Sequence, residues 1–317
     1  VSYRLMGFVV GLLSVIAIGN VAYAADSPKI DRDFWQHWGD GHAELSGYQL
    51  EYPRYGQIRK GTAVAIFVTE TFSNKLRVKA DPGNHAKSDE FPVLKLNLMQ
   101  DFPTGLYDYN MMTSTFIALK PVNARPIGSA TKVSFGSQEW CGHVYHQALF
   151  DKHQVRHTLH SYFDGEADQS AKIDHPKDAI SEDALLIWAR GLAWPVLAKG
   201  ESMNVSVLRS LEFVRLRHRP LQWGSARLSY AEQAQQVTVP AGAFDARVMT
   251  AAIAGGPTWT FYVEDAAPHR VVKWKSTKGH KGELIESSRM KYWQMNGEGN
   301  EKHLKKIGLT PRPMAMP

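Results

Sequence analysis

Alternation of apolar and polar residues, with a period of two, constrains this chain more than any other feature. In Val93 to Met99, Leu94, Leu96 and Leu98 oppose Lys95 and Asn97, the pattern of a half-buried antiparallel strand. Thr62 to Thr69 alternates too, with Val64, Ile66 and Val68 on one face and Ala63, Ala65 and Phe67 on the other. Pro103-Thr104-Gly105 is a turn, and Leu106 to Leu119 returns from it as the second arm of a hairpin. Lys132 to Trp140, His143 to Phe150 and Val155 to Phe163 continue the meander. After Gly200 the period resumes in eight further segments: Met203–Leu208, Glu212–Arg217, Gly224–Tyr230, Gln235–Val239, Ala246–Ile253, Thr258–Val263, Arg270–Lys275 and Glu283–Arg289.

Helical signals are few. Asp31 to Trp38 reads as a short helix stopped by Gly39, and Ser181 caps another whose apolar face is Leu185, Leu186, Trp188 and Ala189. Glu298 to Ile307 reads as a closing helix. The expected fold class is therefore mainly β: one large curved antiparallel sheet, half-barrel or barrel-like, with a few short helices. Five regions follow: a leader over 1–24, a β region over 25–163, a linker with a short helix over 164–200, a second β region over 201–309, and a loose tail over 310–317.

The leader decides the compartment. Arg4 supplies positive charge, Leu5 to Ile18 is an apolar run, and Ala22-Tyr23-Ala24 is a small-x-small cleavage pattern. The rival reading is an uncleaved N-terminal anchor, for which the run is short. No cysteine follows the run, so a lipid-anchored form is not expected. The chain reads as exported, periplasmic or secreted, after cleavage near Ala24. Cys141 is the only cysteine, so an intramolecular disulfide is excluded and the core must carry stability.

Hydrophobic residues at 44% and charged residues at 21% exclude global disorder. The formal charge of +6 is spread along the chain, and with export it argues against a nucleic-acid partner. The densest basic runs, Lys273 to Lys281 and Lys302 to Lys306, read as solvated faces, with anionic lipid headgroups or polysaccharide as the alternative contact. The oligomeric state is left open.

The sharpest chemical constellation is Trp140-Cys141-Gly142-His143-x-x-His146, followed by His153, His157 and His160. A two-residue turn at Lys152-His153 puts Tyr145 across from His160 and His143 across from Tyr162. Cys141, His143, Tyr145 and His160 then share one face, and His146 and His157 the other. Cys141 with His143 is the candidate catalytic pair, and His143 with His160 the candidate metal pair, against an ordinary structural role for all of them. Asp101 and Asp108 flank the Pro103–Gly105 turn and form a candidate acid–base pair if they face each other. The H-E-x-x-H, G-x-S-x-G, G-x-G-x-x-G and phosphate-loop patterns are absent. Ser129-x-x-Lys132 and Ser288-x-x-Lys291 fall in or beside predicted strands, which does not suit a Ser-Lys catalyst.

Nine Trp, twelve Tyr and thirteen Phe exceed what one core cluster needs, so a subset can line a concave surface suited to a lipid tail or a sugar face. Trp140, Tyr145, Trp259 and Phe261 are the ligand-binding candidates.

The run Val237-Thr238-Val239-Pro240-Ala241-Gly242-Ala243-Phe244, then Trp259-Thr260-Phe261-Tyr262-Val263, then Ala267-Pro268-His269-Arg270-Val271-Val272, resembles a family of exported bacterial proteins of unknown function. That family is similar to curved-sheet lipoprotein carriers of the LolA and LolB type. The resemblance covers about residues 231–293 and implies an antiparallel sheet wrapped around helices, with an apolar cavity. The expected function is non-catalytic envelope binding of a lipid, lipoprotein or other amphiphile, without a cofactor. The alternatives are a metal- or thiol-dependent envelope enzyme centred on Cys141 and His143, and an envelope interaction protein in peripheral contact with a partner.

Overall fold

The computed structural model of the protein describes residues 26–311. The expected leader and cleavage site, and most of the expected tail, lie outside the described residues. The first half of the chain is a meander: β1 (Ala43–Arg54), β2 (Gln57–Ser73), β3 (Glu90–Pro103), β4 (Asp108–Ala118), β5 (Ala130–Glu139), β6 (Gly142–Phe150), β7 (Gln154–Ser161) and β8 (Gln169–Asp174). The second half adds β9 (Ala179–Ser181), β10 (Ser202–Leu208), β11 (Trp223–Tyr230), β12 (Gln235–Val239), β13 (Gly242–Ile253), β14 (Thr258–Glu264), β15 (Val271–Ser276) and β16 (Lys281–Met290). Three α-helices accompany them: α1 (Arg32–Trp38), α2 (Leu185–Ala189) and α3 (Leu211–Arg217).

All sixteen strands form one curved sheet, and β1 joins its two halves by pairing with β16. Pairing is antiparallel except between β9 and β10. The order ends at β8 on one side and β9 on the other, so the barrel is not closed by strand pairing. A side chain spans the gap instead, Trp223 Nε1 of β11 donating to the Asp174 carbonyl of β8 at 2.6 Å, and Arg125 of the β4–β5 connection holds the segment between the two edges by donating to the carbonyls of His175, Pro176 and Lys177.

Strand alternation sets the inner wall. Tyr48, Leu50 and Tyr52 of β1, Ala63, Ala65 and Phe67 of β2, and Leu94 and Leu96 of β3 all face the main core. The opposite faces of β1 and β2 carry Leu45, Ile66 and Val68, which are covered by a 3-10 segment at Asn300–Ile307, where the sequence suggested a helix. The β3–β4 turn falls at the predicted place, and the β6–β7 register puts Tyr145 opposite His160.

Three expectations need correction. The alternating stretch from Glu212 to Arg217 is the helix α3, not a strand. Ser210 caps it by accepting from Phe213 N at 3.0 Å, and Leu211 and Val214, three apart, supply its buried stripe. The region over 164–200 is more than a linker, since it forms β8 and β9 and then turns into the barrel interior through a 3-10 turn at Glu182–Ala184 and α2. Asp101 and Asp108 do not face each other: Asp101 is opposite Asn110, and Asp108 is opposite Pro103.

The hairpins β1–β2, β3–β4, β5–β6 and β15–β16 all turn at one end, here the upper end. Helix α3 follows β10 at this end and crosses the mouth. Its Glu212 reaches Tyr52 and Gln100, its Arg215 reaches Glu139 at 3.2 Å, and His218 just beyond it reaches Glu166 at 2.5 Å.

Candidate functional site

A sheet of this many strands curls around more space than its own side chains fill. The segment from Glu182 to Arg190 occupies much of that space. Leu185, Ile187 and Trp188 are buried, and Trp188 Nε1 donates to the Pro195 carbonyl at 2.9 Å. At the lower end Arg190 makes a two-pronged ion pair with Glu44 at 2.6 and 3.0 Å. Beside this Arg190, and despite burial, the Glu44 carboxyl is held down to about 2.

Between α2, α3 and the sheet a cavity of about 90 Å³ remains. Leu96, Leu98, Leu186, Trp259, Phe261 and Trp274 supply its apolar wall. Gln100, Asp183, Glu212 and His280 give it a polar side. Trp274 keeps its place because its cross-strand partner is Gly282: a Cβ there would lie 2.2–2.4 Å from the indole.

The acidic groups differ in how they are held. Glu182 is saturated, accepting from Arg209 Nε at 2.8 Å, Trp259 Nε1 at 3.0 Å and Ser210 N at 3.1 Å. Glu212 accepts from Tyr52 Oη and from Gln100 Nε2. Burial pushes its carboxyl up, against the pull of those two donors. Asp183 accepts through Oδ2 from Leu211 N and from Ser181 Oγ, both at 3.2 Å, while its Oδ1 receives no hydrogen bond among the described residues. Burial first, and then the neighbouring Glu182 charge, push Asp183 up to about 8. At neutral pH it is therefore a neutral acid that can donate a hydrogen bond into the cavity. His280 is pushed down to about 4 by burial and by Arg217, so its ring is neutral there.

The residues singled out in the sequence fall into two places. Trp259 and Phe261 lie on the lumen wall, one β14 face apart from solvent. Trp140, Cys141, His143, Tyr145 and His160 sit at or near the upper rim, on the exposed side of the β5–β6–β7 meander. Trp140 is 73% exposed and stacks on Tyr107 with ring centres 6.1 Å apart. Cys141 is exposed in the β5–β6 turn, His143 lines an open surface groove with Trp140, and His160 Nδ1 lies 2.8 Å from Asp168 Oδ1. Among the described residues no group of three or more His, Cys, Asp or Glu is arranged to hold a metal ion. On the inner face, His146 and His157 meet at 3.2 Å. Burial pushes His146 down to about 3, with the neighbouring His157 adding to the shift.

The lumen acids were missed by the sequence reading. Glu182 and Asp183 follow the N-cap Ser181, a position where acids are ordinary complements to a helix dipole. Glu212 sat inside a stretch assigned to a strand. The available signal was two adjacent acids leading straight into the apolar run Ala184 to Ala189, an arrangement that buries them if the run is buried.

Comparison with known proteins finds no family model and no curated protein that matches this chain. Among solved structures, a β-barrel-like protein of the domain of unknown function DUF1849 from Brucella abortus matches at a TM-score of 0.38 and 10% identity, over 78% of this chain and 98% of that one.

Proposed function

We propose that this is an exported envelope protein that binds, without catalysis, the end of a lipid-like amphiphile or of a lipoprotein acyl group inside its curved sheet. The observation that carries the reading is the juxtaposition of an aromatic wall, Trp259, Phe261 and Trp274, with one neutral acid whose outer oxygen is uncommitted. An apolar surface with a small number of fixed polar groups is how small-molecule sites combine affinity with orientation. Asp183 in its protonated form would donate to an acceptor on the ligand, such as an ester or amide carbonyl.

Size narrows the ligand. The cavity of about 90 Å³ is smaller than the roughly 150 Å³ that admits benzene in an engineered core. The space at hand therefore takes a chain end or a short branch, and a longer tail requires Leu186 or the α2 segment to move. The resemblance to carriers of the LolA and LolB type supports the same reading through the arrangement of sheet around helix.

Native mass spectrometry of protein purified from cell envelopes tests it. The expected result is a co-purifying amphiphile that is lost, with the fold intact, when Leu98→Trp fills the cavity. Ligand-free protein under all purification conditions, or equal ligand occupancy in the Leu98→Trp variant, would refute the proposal.

A further inference from the structure

We propose that the upper end of the sheet docks on an anionic lipid bilayer, with aromatic hairpin tips entering the interface and basic side chains meeting the headgroups. Among the described residues, the three large apolar side chains more than 70% exposed are Leu106 at 82%, Trp140 at 73% and Tyr162 at 71%. All three stand at this end, in the β3–β4 turn, in the β5–β6 turn and just after β7. Tyr55 and Ile58, at the β1–β2 turn, are also at least half exposed. Single exposed apolar residues need no explanation, but these crown successive turns of one meander and contribute little to its core. Tyrosine and tryptophan favour the membrane–water boundary, where the ring is buried and the polar tip stays wet.

Charge selects the surface they would meet. The same end carries Lys60 on β2, Arg217 and Arg219 around the end of α3, and Lys278 in the β15–β16 turn, all exposed. None of these four forms an ion pair among the described residues. The acids nearby are Glu51, Asp101, Asp108, Asp164, Glu166 and Asp168. Of these, Glu51 is paired with Lys281, and Glu166 and Asp168 lie against His218 and His160, which carry charge only when protonated. The rim thus presents four exposed cations, outside the ion pairs of the described residues, beside its aromatic tips, the combination that binds membranes carrying anionic lipid.

This placement uses residues separate from the lumen wall and does not depend on what the lumen holds. Flotation with vesicles of phosphatidylglycerol and phosphatidylcholine, against pure phosphatidylcholine, tests it. The chain used should start at Ala25, the residue that follows the expected cleavage site. Binding to the anionic vesicles is expected. It should fall at least ten-fold in Leu106→Ser/Trp140→Ser/Tyr162→Ser, and about five-fold for each charge removed in Lys60→Gln/Lys278→Gln. Brominated lipid should quench part of the tryptophan emission, and that part should vanish in Trp140→Phe. Far-ultraviolet circular dichroism checks that the variants fold, and Leu98→Trp should float like the parent. Equal flotation of parent and rim variants, absence of binding, or binding to soluble dextran sulfate in preference to vesicles would each overturn the proposal.

Discussion

Replacing Asp183 with asparagine should make the protein more stable at alkaline pH and change it little near pH 4. In the fold the carboxyl titrates near 8, against an ordinary value of 3.8. Between those values the unfolded chain releases this proton and the native protein keeps it. The native state therefore binds more protons across the window, and its stability falls as pH rises, by up to about 1.4 kcal/mol per pH unit. Over roughly four units the upper bound is about 6 kcal/mol. The effective dielectric even of buried sites is well above that of a dry interior, and the Glu212 charge is coupled to the same titration, so about 2–3 kcal/mol is the expected net loss. Asparagine can keep the acceptor for Leu211 N and Ser181 Oγ, turns its amide toward the cavity and has no charge to bury. Urea unfolding at half-unit steps from pH 4 to pH 9, for parent and variant with a common m value, measures the difference. The gap should be below about 1 kcal/mol at pH 4 and widen toward pH 8. Glu212 is present in both proteins, so the difference reports Asp183 together with its coupling to Glu212. Parallel profiles would refute the argument that burial, rather than some other feature of the acid, sets this group's titration.

Two further perturbations test how the lumen is built. Arg209→Met should cost about 3–5 kcal/mol in chemical denaturation, because it leaves the Glu182 carboxylate buried without its cation, and adding Glu182→Gln should recover much of the loss. Gly282→Ala forces a methyl group against the Trp274 indole and should cost about 1–3 kcal/mol, with a change in the near-ultraviolet circular dichroism of the aromatic wall.

Strand pattern made the faces of the sheet legible before any coordinates. Ala63, Ala65 and Phe67 fall on the inner side and Val64, Ile66 and Val68 on the outer, as alternation requires. The pairing of Tyr145 with His160 followed from counting outward from a short turn. Helix α3 was misread because only its ends, Leu211-Glu212-Phe213 and Val214 to Arg217, alternate, and a segment of seven residues is too short to separate a period of two from one of three to four. The deciding contacts, Glu212 to Tyr52 and Gln100 and Arg215 to Glu139, lie 76 to 160 residues away in sequence. Local pattern carries no trace of partners at that distance. For the same reason Trp259 and Phe261 could be named as wall residues, whereas Asp183 could not be named as the polar group that faces them.

The contents of the lumen bear on what the fold is for. A segment needed only to fill the space inside a wide sheet would do so best with aliphatic side chains, since replacing buried ion pairs by well-packed apolar residues is commonly neutral or stabilising. Here the inserted segments instead bring Glu182, Asp183, Arg190, Arg209, Glu212 and Arg215 into or against the interior. Some of these are matched: Arg190 by Glu44, Arg209 by Glu182, Arg215 by Glu139. Asp183 has no cation of its own among the described residues and stands where a stable plug would carry leucine. A destabilising group held next to an aromatic wall and an open cavity is the expected mark of a site shaped for a ligand. If that is its purpose, Asp183→Asn, which keeps the acceptor for Leu211 N and Ser181 Oγ, should raise the unfolding midpoint at pH 8, whereas Asp183→Leu, which removes it, should abolish amphiphile capture. A leucine variant that still binds would show that the acid does not serve recognition.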